Sequence, residues 1–93
     1  MTDVAGHTLV RHVANEGFWK AYDALPEQAR RQADKSFALL KQNANHPSLR
    51  FKKIGGRWSA RVGQGYRALA LEIDGGFLWY WIGSHNDYDR MIR

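Results

Sequence analysis

Apolar positions along the chain change their period near residue 49. Before that point they recur at helical steps. Residues 8–13 (Thr-Leu-Val-Arg-His-Val) are rich in β-branched side chains and predict a first strand. Asn15 follows as a helix N-cap, opening a helix through Phe18, Trp19, Tyr22 and Leu25. Pro26 suits the first position of a second helix, where its missing N–H is not needed, and Glu27 complements the positive end of the helix dipole. Ala29, Ala33, Phe37 and Leu40 recur at steps of three and four and mark one apolar face. Arg30, Arg31, Asp34, Lys35 and Lys41 mostly fall elsewhere and should meet water. The helix should stop near Asn43–Asn45, because His46 precedes Pro47 and is pushed out of the helical region.

From Leu49 onward the pattern is one of strands and tight turns. Gly55-Gly56, Gly63-Gln64-Gly65 and Asp74-Gly75-Gly76 punctuate three runs, Arg57–Val62, Tyr66–Ile73 and Phe77–Gly83. Two of these turns join consecutive runs and read as antiparallel hairpins. Leu49–Ile54 is either a further strand or the lead-in to one, and Ser84 can cap a short final helix over Ser84–Arg93. The order is β-α-α-β-β-β with a short C-terminal helix. It predicts a single α+β domain over 1–93, with two N-terminal helices packed on one face of a twisted antiparallel sheet.

Composition narrows the chemistry. The chain has 93 residues, enough for one core, and its 44% apolar and 13% aromatic content excludes a disordered chain. It has no cysteine, which excludes disulfide scaffolds, thiolate metal sites and cysteine nucleophiles and fits a reducing cytoplasm. The N-terminal residues lack a basic segment followed by an apolar run, so no secretory signal is expected. Ala68–Leu71 and Phe77–Ile82, the longest apolar stretches, are too short to span a bilayer. The net charge of +5 is unevenly placed. Residues 1–49 carry +1 and residues 68–93 carry −2, whereas residues 50–67 hold Arg50, Lys52, Lys53, Arg57, Arg61 and Arg67 with no acid, a net +6. Such a block suits a polyanionic partner as well as a plainly solvated basic surface.

Two groups of residues carry candidate chemistry. A symmetric Gly63–Gly65 turn places Val62 opposite Tyr66 and Arg61 opposite Arg67, so that two guanidiniums share one face. They repel unless an anion lies between them or each pairs with an acid such as Glu72, Asp74, Asp87 or Asp89. Both faces of Tyr66–Ile73 are largely apolar, so periodicity does not tell which one the helices cover, and a glycine bulge can re-aim Arg61. His85 and Tyr88 follow the last strand three residues apart, on one side of a helix. A histidine there can move protons, or with Asp87 it can simply cap the helix while Tyr88 packs into the core.

Other chemistry is poorly supported. His7 and His12 are five apart, a spacing that fits neither a strand nor a helix face, and His46 stands alone; no metal site is expected. Ser36, Ser48, Ser59 and Ser84 lack a nucleophile elbow, and the glycine pairs lack the strand-to-helix setting of a nucleotide loop. Trp58, Phe77, Trp79, Tyr80 and Trp81 read as core and rim, because a domain this small needs their area buried.

With these residues placed, the chain resembles the RelE/ParE superfamily of toxins from type II toxin–antitoxin pairs, from about Phe18 to Ile92. The resemblance rests on Leu25-Pro26 opening the second helix and on Trp58-Ser59-Ala60-Arg61-Val62 followed by Tyr66-Arg67. It also rests on the closing Trp81-Ile82-Gly83-Ser84-His85-Asn86-Asp87-Tyr88-Asp89-Arg90. The middle motif is similar to the YoeB branch. The resemblance implies a metal-independent, ribosome-dependent endoribonuclease without cofactor, entering the 30S A site to cut mRNA and held in check by a cognate antitoxin protein. By position it implies that Arg67 stabilises the transition state, joined on the phosphate by Arg61. His85 and Tyr88 would move protons, and Lys52, Lys53 and Arg57 would hold RNA phosphates. The chain departs from the YoeB pattern in one respect. That branch carries a glutamate shortly before its tryptophan strand, where this sequence has Ser48, Leu49 and Arg50, with no acid between Asp34 and Glu72. The base is then His85 or a substrate group, or it is missing. The alternatives are a ParE-like, non-enzymatic inhibitor of DNA gyrase and a degenerate toxin fold that binds only its antitoxin.

Overall fold

The computed structural model describes residues 10–92. Its elements run β1 (Arg11–Ala14), α1 (Glu16–Asp23), α2 (Glu27–Gln42), a 3-10 turn (Pro47–Leu49), β2 (Lys52–Ile54), β3 (Arg57–Val62), β4 (Tyr66–Ile73), β5 (Gly76–Ser84) and α3 (His85–Ile92). Residues 8 and 9 of the expected first strand lie outside the described residues.

Local sequence sets the helix ends. The Asn15 side chain accepts a hydrogen bond from the Phe18 N–H at 2.9 Å and caps α1. Pro26 stands one position before α2, as its N-cap, with φ −57° already close to the helical value. α2 buries Ala29, Ala33 and Leu40 and ends at Gln42. His46 then starts the 3-10 turn, its Nδ1 accepting from the Ser48 N–H at 3.2 Å, and drives Leu49 into the core. Tyr22 Oη donates to Asp34 at 2.8 Å and ties α1 to α2.

The five strands lie in the order β1-β5-β4-β3-β2. Lys52–Ile54, left open in the sequence, is a true strand, paired antiparallel to β3. The α+β class and element order stand as expected, but the sheet is mixed, because β1 runs parallel to β5. No tight turn joins these two strands, so nothing local forces an antiparallel pairing. Gly76 permits the close approach: a Cβ there would collide with the Arg11 carbonyl.

Face assignment follows from burial and register. Ala60 and Val62 of β3, Ala68 and Ala70 of β4, and Trp79 and Ile82 of β5 join Leu25, Ala29, Ala33, Leu40 and Leu49 in one core under α1 and α2. Strand alternation therefore sends Arg57, Ser59 and Arg61, with Arg67 and Leu69, to the opposite face. In β5 the register jumps between Leu69↔Trp81 and Ala70↔Trp79 and leaves Tyr80 without a partner. This bulge lets Trp79 and Ile82 both enter the core while Trp81 and Gly83 join the other face.

Between α1, α2 and the sheet lies an apolar cavity of about 270 Å³, lined in part by His12, Phe18, Trp19, Phe37 and Trp79. His12 Nδ1 accepts from Trp79 Nε1 at 3.1 Å, and its ring stacks near Phe77 and Trp79. Burial, and then the Lys41 charge, push the His12 pKa below its ordinary 6.5.

Two outcomes are expected. Gly76→Ala should cost about 1–3 kcal/mol by forcing β1 off β5, read as a drop in Tm. The unfolded chain binds the His12 proton at higher pH than the folded one. Stability should therefore fall as pH drops below the ordinary value of 6.5 and level off above it, in urea titrations across that window. His12→Gln should flatten that slope; an unchanged pH dependence would count against the assignment.

Candidate active site

The sheet face away from α1 and α2 is not bare. Ser59 and Leu69 are 0% exposed there although no helix of the main layer covers them. The Trp81 ring lies so close over Gly83 that a Cβ at 83 would collide with it, and Tyr88 of α3 is 4% exposed. These aromatic groups make a second, smaller packed layer from which the polar groups rise.

The Gly63–Gly65 turn sets the register as expected, Val62↔Tyr66 and Arg61↔Arg67, with Gly63 at φ +58°. Arg67 is also paired with Gly83 of β5. Its guanidinium carbon sits 5.4 Å from the Tyr88 ring centroid, a cation–π contact worth about 1 kcal/mol where partly desolvated. None of the four acids considered for it forms an ion pair with Arg67 among the described residues. Glu72 accepts from Trp58 Nε1 at 3.0 Å, Asp87 pairs with Arg90, and Asp89 faces His85. Among the described residues the guanidinium fork has no side-chain hydrogen-bond or ion-pair partner.

α3 is held against this arginine from both sides of its first turn. Ser84 Oγ accepts from the Asp87 N–H at 3.1 Å, the cap expected from the sequence, and the His85 N–H donates to the Gly65 carbonyl at 2.9 Å. The His85 and Tyr88 rings meet edge to face at 5.9 Å, so Arg67, Tyr88 and His85 form one contiguous group. Tyr88 does pack, as the plainer reading had it, yet it packs as the platform under Arg67. Asp89 Oδ2 lies 3.5 Å from His85 Nδ1, so the carboxylate faces Nδ1 rather than Nε2. Asp89 is a residue that sequence reasoning missed as a site member. Its i,i+4 spacing from His85 was the available signal.

The remaining basic residues are dispersed. Lys52 is paired with Ser59 and stands on the Arg67 face, whereas Lys53 is paired with Trp58 and stands on the opposite one. Arg57 Nη1 reaches Tyr80 Oη at 3.5 Å on the Arg67 face. Arg61, opposite Arg67 in the ladder, has its own contacts at the β3 edge. β2 ends at Lys52↔Ser59, so the β3 edge is open beyond it. Along that edge Arg61 Nε donates to the Gly63 carbonyl at 3.1 Å, and the side chain lines a groove with Gln32, Lys35 and Ser36 of α2. No group of three or more His, Asp or Glu side chains among the described residues is placed to hold a metal ion. No helix of the described residues is long and apolar enough to cross a membrane.

Comparison with known proteins decides the lineage of this arrangement. The signature of the ParE-like toxin domain matches residues 27–90. The chain belongs to the ParE-like toxin family. Solved structures show the same fold at low identity. The RelE toxin in the RelB–RelE antitoxin–toxin complex of Methanococcus jannaschii superposes with a TM-score of 0.63 at 17% identity, covering 87% of this chain and 99% of that one. YafQ of Escherichia coli gives 0.67 at 11% identity, with 85% and 97% covered. The isolated Escherichia coli RelE toxin gives 0.60 at 15% identity, with 89% and 95% covered. No curated protein sequence matches the chain significantly. The ParE-like toxin domain thus has a RelE-like fold, and the group at Arg67, Tyr88 and His85 lies where β4 meets its last helix.

Because Tyr88 is both buried and the platform for Arg67, its ring and its hydroxyl are separable. Tyr88→Phe should melt close to the parent, whereas Tyr88→Ala should lose about 3–5 kcal/mol and release α3. Thermal melts of the two variants test this; equal stability would show that the ring supports nothing.

Proposed function

We propose that this ParE-like toxin is an endoribonuclease that cleaves mRNA on the ribosome, in the 30S A site, by metal-independent transesterification. The observation that carries the reading is Arg67, free of any carboxylate among the described residues and sharing the Tyr88 ring with His85. In such a reaction the ribose 2′-OH attacks the adjacent phosphorus. The O2′–P bond forms, the P–O5′ bond breaks, and a 2′,3′-cyclic phosphate and a 5′-OH end result. His85 Nε2 takes the 2′-OH proton, with Asp89 holding the ring by Nδ1. Arg67 neutralises the charge that grows on the equatorial oxygens. The O5′ leaving group receives its proton from the Tyr88 hydroxyl or from the imidazolium. Lys52 and Arg57, on the same face, hold flanking phosphates, and Lys53 reaches the RNA only at the sheet edge. His85 here fills the place left by the absent glutamate.

A cognate antitoxin is the second partner in this reading. The RelB-bound RelE structures of this fold support it. The basic strip of residues 50–67 calls for an acidic segment that covers and neutralises it.

A non-enzymatic inhibitor of DNA gyrase is the second reading. It is favoured by the match to the ParE-like signature and by the lack of any acid between Asp34 and Glu72. Primer extension on mRNA after brief expression separates the two. Codon-phased cuts in translated regions are the expected result. Intact message together with a DNA-damage response would replace this proposal with the gyrase reading. Arg67→Ala should slow cleavage by about 10²–10³-fold. Both it and His85→Ala should relieve growth arrest while melting as folded proteins.

A further inference from the structure

The open edge of β3 presents a groove lined by Gln32, Lys35, Ser36, Ser48, Arg61 and the Gly63-Gln64 turn. Lys35 and Arg61 bring two positive charges to it, and none of its lining residues is acidic. Arg61 commits only Nε, to the Gly63 carbonyl, so the two Nη groups of its fork have no partner among the described residues. Lys35 likewise has no ion pair among the described residues, and the neighbouring Asp34 is already bonded to Tyr22. Two like charges in one concave site repel each other unless an anion joins them. The Ser36 hydroxyl adds a donor, while Ser48 Oγ is engaged by His46 Nδ1 at 2.9 Å; a planar fork with an ammonium suits phosphate oxygens.

The groove is also connected to the candidate active site. The turn that forms its wall continues to Gly65, whose carbonyl holds the His85 N–H at 2.9 Å, and Arg61 and Arg67 are directly opposed in the ladder. A strand bound at Arg67 therefore has a second cationic foothold one step away, around the β3–β4 turn.

We propose that this groove is a second phosphate subsite, in which Lys35 and Arg61 grip a phosphodiester of the RNA strand next to the one held at Arg67. The inference rests on the ribonuclease reading above. It makes Arg61 a strand-positioning residue rather than one that acts on the reacting phosphate.

The test compares binding of two 2′-O-methylated, uncleavable probes, a hexaribonucleotide and a dinucleoside monophosphate, by fluorescence anisotropy over a salt series. Lys35→Ala and Arg61→Ala should each lower hexamer affinity roughly three- to tenfold and reduce the salt slope by about 0.7. The ratio of hexamer to dinucleotide affinity should fall with them. Arg67→Ala should weaken both probes and leave that ratio standing. Arg61→Lys separates charge from the Gly63 hydrogen bond: recovery of the salt slope supports the subsite, and failure to recover it assigns Arg61 to holding the turn. If Arg67→Ala weakens binding but neither Lys35→Ala nor Arg61→Ala changes the ratio, the subsite is refuted and the nuclease reading survives. If probe binding depends on none of Arg67, Lys35 and Arg61, the subsite is refuted, and intact message in the primer-extension experiment is what would overturn the nuclease reading with it.

Discussion

The site depends on the register of β4, the strand that lies between β3 and β5. A slip of one residue in either ladder would exchange the sheet's two faces, sending Arg67 into the core and Ala68 out of it. Two devices hold the register. The Gly63–Gly65 turn admits the left-handed φ needed to bring β3 straight back into β4. The same turn offers the Gly65 carbonyl to the His85 N–H, so one short loop positions an arginine through its strand and a histidine through its backbone. The arginine and the proton carrier are thus fixed relative to each other without a side-chain bond between them.

The two faces of the sheet divide the work. One is filled by alanines, leucines and Trp79 under α1 and α2 and supplies most of the buried apolar area. The other buries Leu69 and Ser59 and holds Arg57, Arg61 and Arg67 half-buried, Arg67 against the Tyr88 ring. Arg67 tolerates this setting because a ring face replaces part of its hydration while the fork stays open. The acids that would have silenced it are drawn to other partners: Glu72 to an indole, Asp87 to Arg90, Asp89 to His85.

Features governed by local rules were legible in the chain itself. The Asn15 and Ser84 caps, the stop before Pro47 and the pairing of Arg61 with Arg67 all follow from a few adjacent residues. Features set by the third dimension were not. Both faces of Tyr66–Ile73 are largely apolar, and Ala68, Leu69 and Ala70 are buried in succession on alternate faces, so no alternation could reveal which one lies under the helices. The parallel direction of β1 leaves no trace in a short strand with no turn to β5. Lys52 and Lys53 read as one basic pair, yet strand geometry parts them, and Arg61 follows an edge left open only because β2 is three residues long.

The irregularity at Tyr80 has a consequence for how this chain can vary. Upstream of it, β5 counts its faces in one parity; downstream it counts in the other, and α3 inherits the second. Substitutions in this stretch change one side chain each. Loss of Tyr80 would instead make Trp79↔Ala70 and Trp81↔Leu69 consecutive pairs, with Trp79 still under the helices and Trp81 and the root of α3 still on the Arg67 face. Between Leu78 and Ile82 the chain can therefore shed its one supernumerary residue and still bring the last helix to its arginine, because the pairs on either side of the bulge already lie in one register.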